Sequence, residues 1–283
     1  MAKLKSYAKI NIGLRILGRR PADAYHLLES ILVEISLHDK LNIDLNNKGV
    51  CKIKCSDLSI PINEENTIIK AWNRIKPYLP PDLGADIYLE KIIPSGSGMG
   101  GGSSNAAAIL KYLDPYCIEK APLSQLALSI GADVPFFLNG GTMLANGIGE
   151  ILTPYSLDFP PNILLVKAPE SISTPWAYKA LKIPLTVEIK KAIFAGFPVA
   201  WQNRALFENE FEKVIYPAYP QIGKIKEVLL KSGADYASLS GSGSTVFGIF
   251  DNRAALKIAE ARCSEFGICY TAEPVRRSPS GVV

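Results

Sequence analysis

Pro94-Ser-Gly-Ser-Gly-Met-Gly-Gly-Gly-Ser-Ser-Asn-Ala-Ala-Ala108 decides how the rest of the chain is read. From Ser95 to Ser104 it holds five glycines, four serines and one methionine. A backbone with so few side chains can turn its N–H groups inward around an anion. An alanine-rich helix is predicted over 105–113, with Ser103 or Ser104 as its N-cap, and its positive end adds to that pull. A patterned strand before the stretch and a capped helix after it favour a phosphate cradle over a flexible Gly/Ser linker.

The cradle differs from the commonest phosphate loops. A Walker A loop needs Lys and Ser/Thr after its last glycine, and Gly102 is followed by Ser103-Ser104. Gly96-Ser-Gly98-Met-Gly-Gly101 matches G-x-G-x-x-G, but the dinucleotide version follows a doubly buried strand that opens a domain. Here Ala85, Ile87 and Leu89 alternate with Asp86, Tyr88 and Glu90, the pattern of a half-exposed antiparallel strand. A nicotinamide enzyme is therefore disfavoured.

The chain has 283 residues, 48% of them hydrophobic, enough for one large domain or two. Its longest apolar runs, such as 163–166, fall far short of the ~20 residues of a membrane-spanning helix. The N-terminus enters strand pattern directly, without the apolar core of a secretion signal, and five cysteines fit a reduced, cytoplasmic protein. Cys51 and Cys55 alternate with Ile53 and read as core; a metal site would want further ligands nearby. A net charge of +4 without a Lys/Arg block gives nucleic acid no support as a partner.

Ser6 to Leu17 alternates strictly, placing Lys9 and Asn11 together on the polar face of a strand. Ile31–Leu37 and Leu41–Leu45 read as a hairpin about His38-Asp39. Asn66 or Thr67 caps a helix carrying Ile68, Ala71, Trp72, Ile75 and Leu79. A second amphipathic helix (Leu123, Leu126, Ala127, Ile130) closes on Gly131 as C′ residue, and Pro135 biases Val134 toward extended geometry. Asn146-Gly147 marks a turn. After Pro154 the character changes, with strands at 163–168, 236–240, 245–250 and 268–274 and an Asp251-capped helix to Phe266, approximating a β-α-β-β-α-β ferredoxin-like unit. A boundary near residue 155 divides the chain into 1–154 and 155–283. Gly241-Ser-Gly-Ser244 forms a second glycine loop, readable as a plain hairpin turn or as part of a site.

Three segments resemble the signature motifs of the GHMP small-molecule kinases, in that family's order and spacing: Tyr7-Ala-Lys-Ile-Asn-Ile-Gly-Leu14, the stretch 94–104, and Leu239-Ser-Gly-Ser-Gly-Ser-Thr-Val-Phe247. The resemblance covers the whole chain and implies an α+β fold of two domains, a ribosomal-protein-S5-like N-terminal one that binds ATP and a ferredoxin-like C-terminal one. It is tightest to the branch that phosphorylates the 2-hydroxyl of a cytidine-diphosphate-linked methylerythritol in non-mevalonate isoprenoid biosynthesis. Ala8-Lys-Ile-Asn11, Asp23-Ala-Tyr-His26, Glu65-Asn-Thr-Ile68, Gly131-Ala-Asp-Val-Pro135 and Gly147-Ile-Gly-Glu-Ile-Leu-Thr-Pro154 carry that match. Kinases of homoserine, mevalonate or sugars, and a non-catalytic nucleotide-binding sensor, stay as alternatives.

The resemblance implies roles residue by residue. Asp133, by itself readable as a turn former, would be the base that takes the alcohol proton. Lys9, otherwise a strand-face lysine, would stabilise the transferred charge. ATP would contact Asn66, Lys91, Pro94, Ser95, Gly96, Ser97, Gly98, Met99, Gly100, Gly101, Gly102, Ser103 and Ser104, with the Ser104 hydroxyl on the Mg2+ side. The phosphoryl acceptor would contact Asn11, Tyr25, His26, Asn105, Thr174, Tyr178, Gly241 and Ser242, Tyr25 stacking on cytosine, His26 bonding its edge, and Tyr178 or Trp176 closing the other face. The family pattern has glycine at Ala24, so a positive φ there would strain the base-holding loop. The expected assembly is a monomer or homodimer in a bacterial cytoplasm.

Overall fold

A computed structural model describes residues 1–185, 190–194 and 199–276. In chain order it contains β1 (Ala2–Arg19), β2 (His26–Asn46), β3 (Cys51–Cys55), α1 (Thr67–Ile75), β4 (Gly84–Glu90), α2 (Gly101–Leu113), α3 (Leu123–Ile130), α4 (Val134–Asn139), β5 (Thr142–Asn146), β6 (Ile151–Pro154) and β7 (Asn162–Lys167). Then follow α5 (Thr174–Ala180), α6 (Glu212–Ala218), α7 (Pro220–Lys231), β8 (Tyr236–Leu239), β9 (Thr245–Phe250), α8 (Arg253–Cys263) and β10 (Ile268–Ala272). These elements form two compact units, each discontinuous in sequence: 1–8, 38–95 and 100–140 make the first, and 9–37, 96–99 and 141–283 the second.

In the first unit β3 runs parallel to β4, and β4 pairs antiparallel with the second half of β2, Leu41 opposite Leu89. β4 alternates as its sequence predicts, burying Ala85, Ile87 and Leu89 while Asp86 and Tyr88 face solvent. Asn66 caps α1, its side chain accepting from the Ile68 N–H, and Ile68, Ile69, Ala71, Trp72 and Ile75 form the buried face. α2 packs against α1, α3 and α4. Its buried Ala106 and Ala107 let neighbouring helices approach closely, while Ile109, Leu110 and Leu113 fill the space further along.

In the second unit the first half of β2 pairs with β5, Ile31 opposite Leu144, and β5 with β6. A second sheet runs in the order β10-β7-β9-β8 with every neighbour antiparallel, the ferredoxin-like arrangement. Its central strands are apolar on both faces, Ile163–Val166 on β7 and Val246–Phe250 on β9 being buried throughout. α7 lies against β8 and β9, and α8 against β7 and β9.

Several local expectations need correction. The predicted hairpin about His38-Asp39 is one continuous strand of 21 residues, because Asp39 points inward and finds buried donors there. α2 begins at Gly101 rather than at residue 105, capped by Gly100 in the left-handed region (φ 71°), so Gly102, Ser103 and Ser104 lie in its first turn. Val134 is the first residue of α4 rather than extended, Pro135 sitting where a helix's first turn needs no N–H. Gly131 ends α3 with extended backbone (φ 176°) instead of a left-handed C′. Asn252, not Asp251, caps α8 by accepting from the Ala255 N–H. Cys51 and Cys55 are half-buried edge residues around the buried Ile53.

Candidate active site

Within the second unit the three motifs meet. Lys9 and Asn11 share one side of β1, and neither faces solvent, each side chain being 4% exposed. Lys9 Nζ donates to Asn11 Oδ1 at 2.7 Å, Asn11 Nδ2 to Ser30 Oγ at 2.9 Å, and Ser30 Oγ to the Gly13 carbonyl at 2.8 Å. This chain fixes the ammonium against β1 and β2, as a buried cation requires. The Lys9 N–H also donates to the Met99 carbonyl at 3.0 Å, tying β1 to the glycine stretch.

The second glycine loop packs against the first. Ser240 Oγ donates to the Gly98 carbonyl at 3.0 Å, and the Thr245 N–H to the Ser97 carbonyl at 3.3 Å. A Cβ on Gly98, whose φ is +77°, would lie 2.0 Å from the Ser240 carbonyl oxygen. A Cβ on Gly241 would be 3.5 Å from Lys9 Nζ and 3.6 Å from Asn11 Oδ1. The buried Asn209 fixes this loop from behind, donating to the carbonyls of Leu239 (2.7 Å) and Gly241 (2.9 Å). The loop is thus interlocked with the first glycine stretch rather than standing free as a hairpin turn.

In the first unit the end of the stretch is held by hydroxyls. Ser6 Oγ donates to Ser104 Oγ at 2.7 Å, and Thr67 Oγ1 to the Gly102 carbonyl at 2.7 Å. Its entry is held by Asp39, whose carboxylate accepts from the Ile92 and Ile93 N–H groups, Lys91 Nζ and Asn105 Nδ2. Pro94 and Ser95 follow directly. Lys91 also donates to the Ile93 carbonyl. Asn66 spends its oxygen on the cap of α1 and its Nδ2 on the Pro61 carbonyl. The polar atoms of Lys91 and Asn66 that these bonds describe are directed into the chain itself. Asp133 occupies the N-cap position of α4 with helical backbone (φ −81°, ψ −13°), and its side chain does not cap that helix.

The residues expected at the cytosine lie in the second unit. His26 and Tyr178 stack with ring centroids 4.6 Å apart at 28°, and Tyr178 sits edge-on to Phe211. Trp176 packs instead against Tyr219. Burial, then the charge of Arg19, push the His26 pKa down, so its imidazole is neutral near pH 7 and offers one donor and one acceptor. Tyr25 is exposed, and Thr174 Oγ1 and Ser242 Oγ lie 2.9 Å apart.

Ala24 adopts φ +59°, the conformation its loop position demanded. Left-handed backbone costs an alanine about 1–2 kcal/mol, and glycine gives back about 0.5–1 kcal/mol through unfolded-chain entropy. Ala24→Gly is therefore expected to stabilise the protein by roughly 0.5–1 kcal/mol, a Tm rise of about 2 °C by calorimetry. An unchanged or lower Tm would mean the loop carries no such strain.

Sequence reasoning missed Ser6, Ser30, Asp39, Thr67, Asn209 and Ser240. Ser240 and Thr67 lay inside quoted motifs, Thr67 being read there only as a helix cap. The others bond to residues distant in sequence and leave no local pattern.

Residues 66–141 match the GHMP kinases N terminal domain and residues 192–269 the GHMP kinases C terminal domain. A 4-diphosphocytidyl-2-C-methyl-D-erythritol kinase of Chlorobium phaeobacteroides (strain DSM 266 / SMG 266 / 2430) is 39% identical over 256 residues, covering 88% of this chain and 86% of that protein. A protein of the same name from Prosthecochloris aestuarii (strain DSM 271 / SK 413) is 38% identical over 257 residues, covering 88% and 89%. The crystal structure of a 4-(cytidine 5'-diphospho)-2C-methyl-D-erythritol kinase superposes with a TM-score of 0.83 at 27% identity, covering 98% of this chain and 100% of that one. With both family domains present and relatives this similar along most of its length, the chain belongs to the GHMP kinases, in the branch of the 4-diphosphocytidyl-2-C-methyl-D-erythritol kinases.

Proposed function

We propose that this chain transfers the γ-phosphoryl group of ATP to the 2-hydroxyl of 4-diphosphocytidyl-2-C-methyl-D-erythritol, a step of non-mevalonate isoprenoid precursor biosynthesis. The observation that carries the reading is the convergence of Lys9, Asn11, Gly98 and Gly241 within the second unit. The two family matches fall on either side of residue 155, which fits a nucleotide-binding N-terminal domain and a ferredoxin-like C-terminal one.

Phosphoryl transfer asks for charge neutralisation, alignment and a destination for the alcohol proton. The N–H groups of the glycine stretch and of α2's first turn receive the phosphates of ATP, helped by the helix dipole. Lys9 meets charge on the transferred group from a buried position, where its field is weakly screened. The acceptor oxygen forms its bond to the γ-phosphorus as the bond to the ADP oxygen breaks, and the alcohol proton passes to the Asp133 carboxylate.

Magnesium fits this arrangement as an ion carried chiefly by the nucleotide. Among the described residues there is no group of three or more His, Cys, Asp or Glu able to hold a metal. A single hydroxyl, Ser104, beside phosphate oxygens and water suits the octahedral oxygen preference of Mg2+. When bound, the ion would neutralise phosphate charge.

His26, Tyr178, Tyr25, Thr174 and Ser242 hold the cytidine half of the acceptor. Loss of a base–aromatic stack costs about 1–3 kcal/mol, so Tyr178→Ala should raise the acceptor KM roughly tenfold or more and leave the ATP KM nearly unchanged. Equal shifts in both would contradict the stacking role. Among the described residues no helix is long and apolar enough to cross a membrane.

The reading is tested by ATP consumption with Mg2+ and 4-diphosphocytidyl-2-C-methyl-D-erythritol, beside homoserine and mevalonate. Turnover with the first substrate alone is expected. Turnover with another alcohol would move the chain elsewhere in the family, and ATP binding without turnover on any alcohol would indicate a sensor.

A further inference from the structure

We propose that Asp39 is a positioning residue for ATP, a buried tether that closes both ends of the nucleotide loop on one carboxylate; this rests on the kinase reading above. The side chain is 0% exposed and its partner Lys91 7% exposed. Oδ1 accepts from the Ile92 and Ile93 N–H groups, both at 2.7 Å. Oδ2 accepts from Lys91 Nζ at 2.8 Å and from Asn105 Nδ2 at 3.1 Å. A carboxylate offers about four lone-pair sites, and these four donors use them.

The placement of the donors gives the tether its meaning. Ile92 and Ile93 are the residues just before Pro94, where the glycine stretch begins, and Asn105 is the residue just after Ser104, where it ends. One carboxylate on β2 therefore gathers the entry and the exit of a loop whose glycines leave its backbone intrinsically free. The Lys91 ammonium completes the closure by also donating to the Ile93 carbonyl. The close approach explains Gly101, whose Cβ would fall 3.0 Å from Ile93 Cγ2 and 3.1 Å from Lys91 Nζ. Fixing both ends lowers the ordering entropy that ATP must otherwise overcome on binding, so the tether acts on nucleotide affinity. His26, Tyr178 and Thr174 make no part of it, and Asn105, expected among the acceptor contacts, spends its Nδ2 on Asp39, so the tether acts on the nucleotide and not on the cytidine end of the acceptor.

Asp39→Asn keeps one acceptor oxygen for the two N–H groups and turns an NH2 toward Lys91 and Asn105, which are themselves donors. The α2 end is released while the entry remains held. Asp39→Asn combined with Asn105→Asp exchanges the two partners and restores the amide–carboxylate hydrogen bond between β2 and α2. Kd for ATP, measured by calorimetry without acceptor, is expected to weaken about tenfold in the single variant and to recover most of that loss in the double. The acceptor KM should stay within about threefold in the single variant. Asn105→Ala, which removes only the α2 end, gives the same weakening of ATP binding if Asp39→Asn does not fold. Wild-type ATP affinity in a folded Asp39→Asn or Asn105→Ala variant overturns the tether alone. Equal weakening toward ATP and acceptor overturns it too, since that is a general structural loss. A wild-type protein that binds no ATP overturns the kinase reading as well.

Discussion

Gly98→Ala is expected to lower kcat/KM by about 10²-fold or more, the cost of roughly 1 Å of misplacement at a reacting centre. The added Cβ would stand 2.0 Å from the Ser240 carbonyl oxygen, on a backbone at φ +77°. That atom belongs to backbone, so no rotamer change relieves the overlap, and one glycine loop must move off the other. Movement breaks the Ser240–Gly98 hydrogen bond and shifts Gly241, whose Cβ position is 3.5 Å from Lys9 Nζ. Gly149→Ala separates this from backbone strain, because Gly149 has φ +114° and nothing within 4 Å of its Cβ position. Gly149→Ala should lose only roughly 0.5–1 kcal/mol of stability, the left-handed cost less the entropy gained in the unfolded chain, Gly98→Ala should lose more through the overlap, and only Gly98→Ala should lose activity. Steady-state kinetics beside thermal melts decide it. Gly98→Ala activity within a few-fold of wild type would mean the two loops need not interlock.

The glycine loops were legible because their composition has few other uses, and Lys9 with Asn11 because a strand's period of two places them on one side. What that period does not tell is whether a polar side is wet. Lys9 and Asn11 are buried, satisfied by one another and by Ser30, a residue on another strand. Asp39 misled for the same reason. A His-Asp pair between two apolar runs reads as a turn, and only the donors at residues 91–93 and 105 make an inward aspartate tolerable in mid-strand. The early start of α2 was hidden by the low helix propensity of Gly101 and Gly102. Glycine at 101 serves the closeness of Ile93 and Lys91, a tertiary demand that outweighs propensity. Ala24 ran the other way: one residue departing from a family pattern foretold a measurable backbone conformation.

Asp133→Asn separates chemistry from binding. If Asp133 takes the alcohol proton, kcat should fall by about 10²–10⁴-fold, the usual scale for losing a positioned acid–base group. Asparagine has the same shape, and the Asp133 side chain makes no cap hydrogen bond to α4 that the change could remove, so the helix should form as before. Val134, Pro135, Phe136 and Phe137, which anchor that helix in the core, are untouched. Tm, ATP affinity and the acceptor KM should therefore stay near wild type while turnover collapses. That pattern differs from Gly98→Ala, which disturbs the ground-state site as well as turnover. Near-normal kcat in a folded Asp133→Asn protein would remove the aspartate as base and leave electrostatic stabilisation around Lys9 as the main source of rate. A rise in both KM values with kcat preserved would instead make Asp133 a binding residue, since uniform loss of binding moves KM and not kcat.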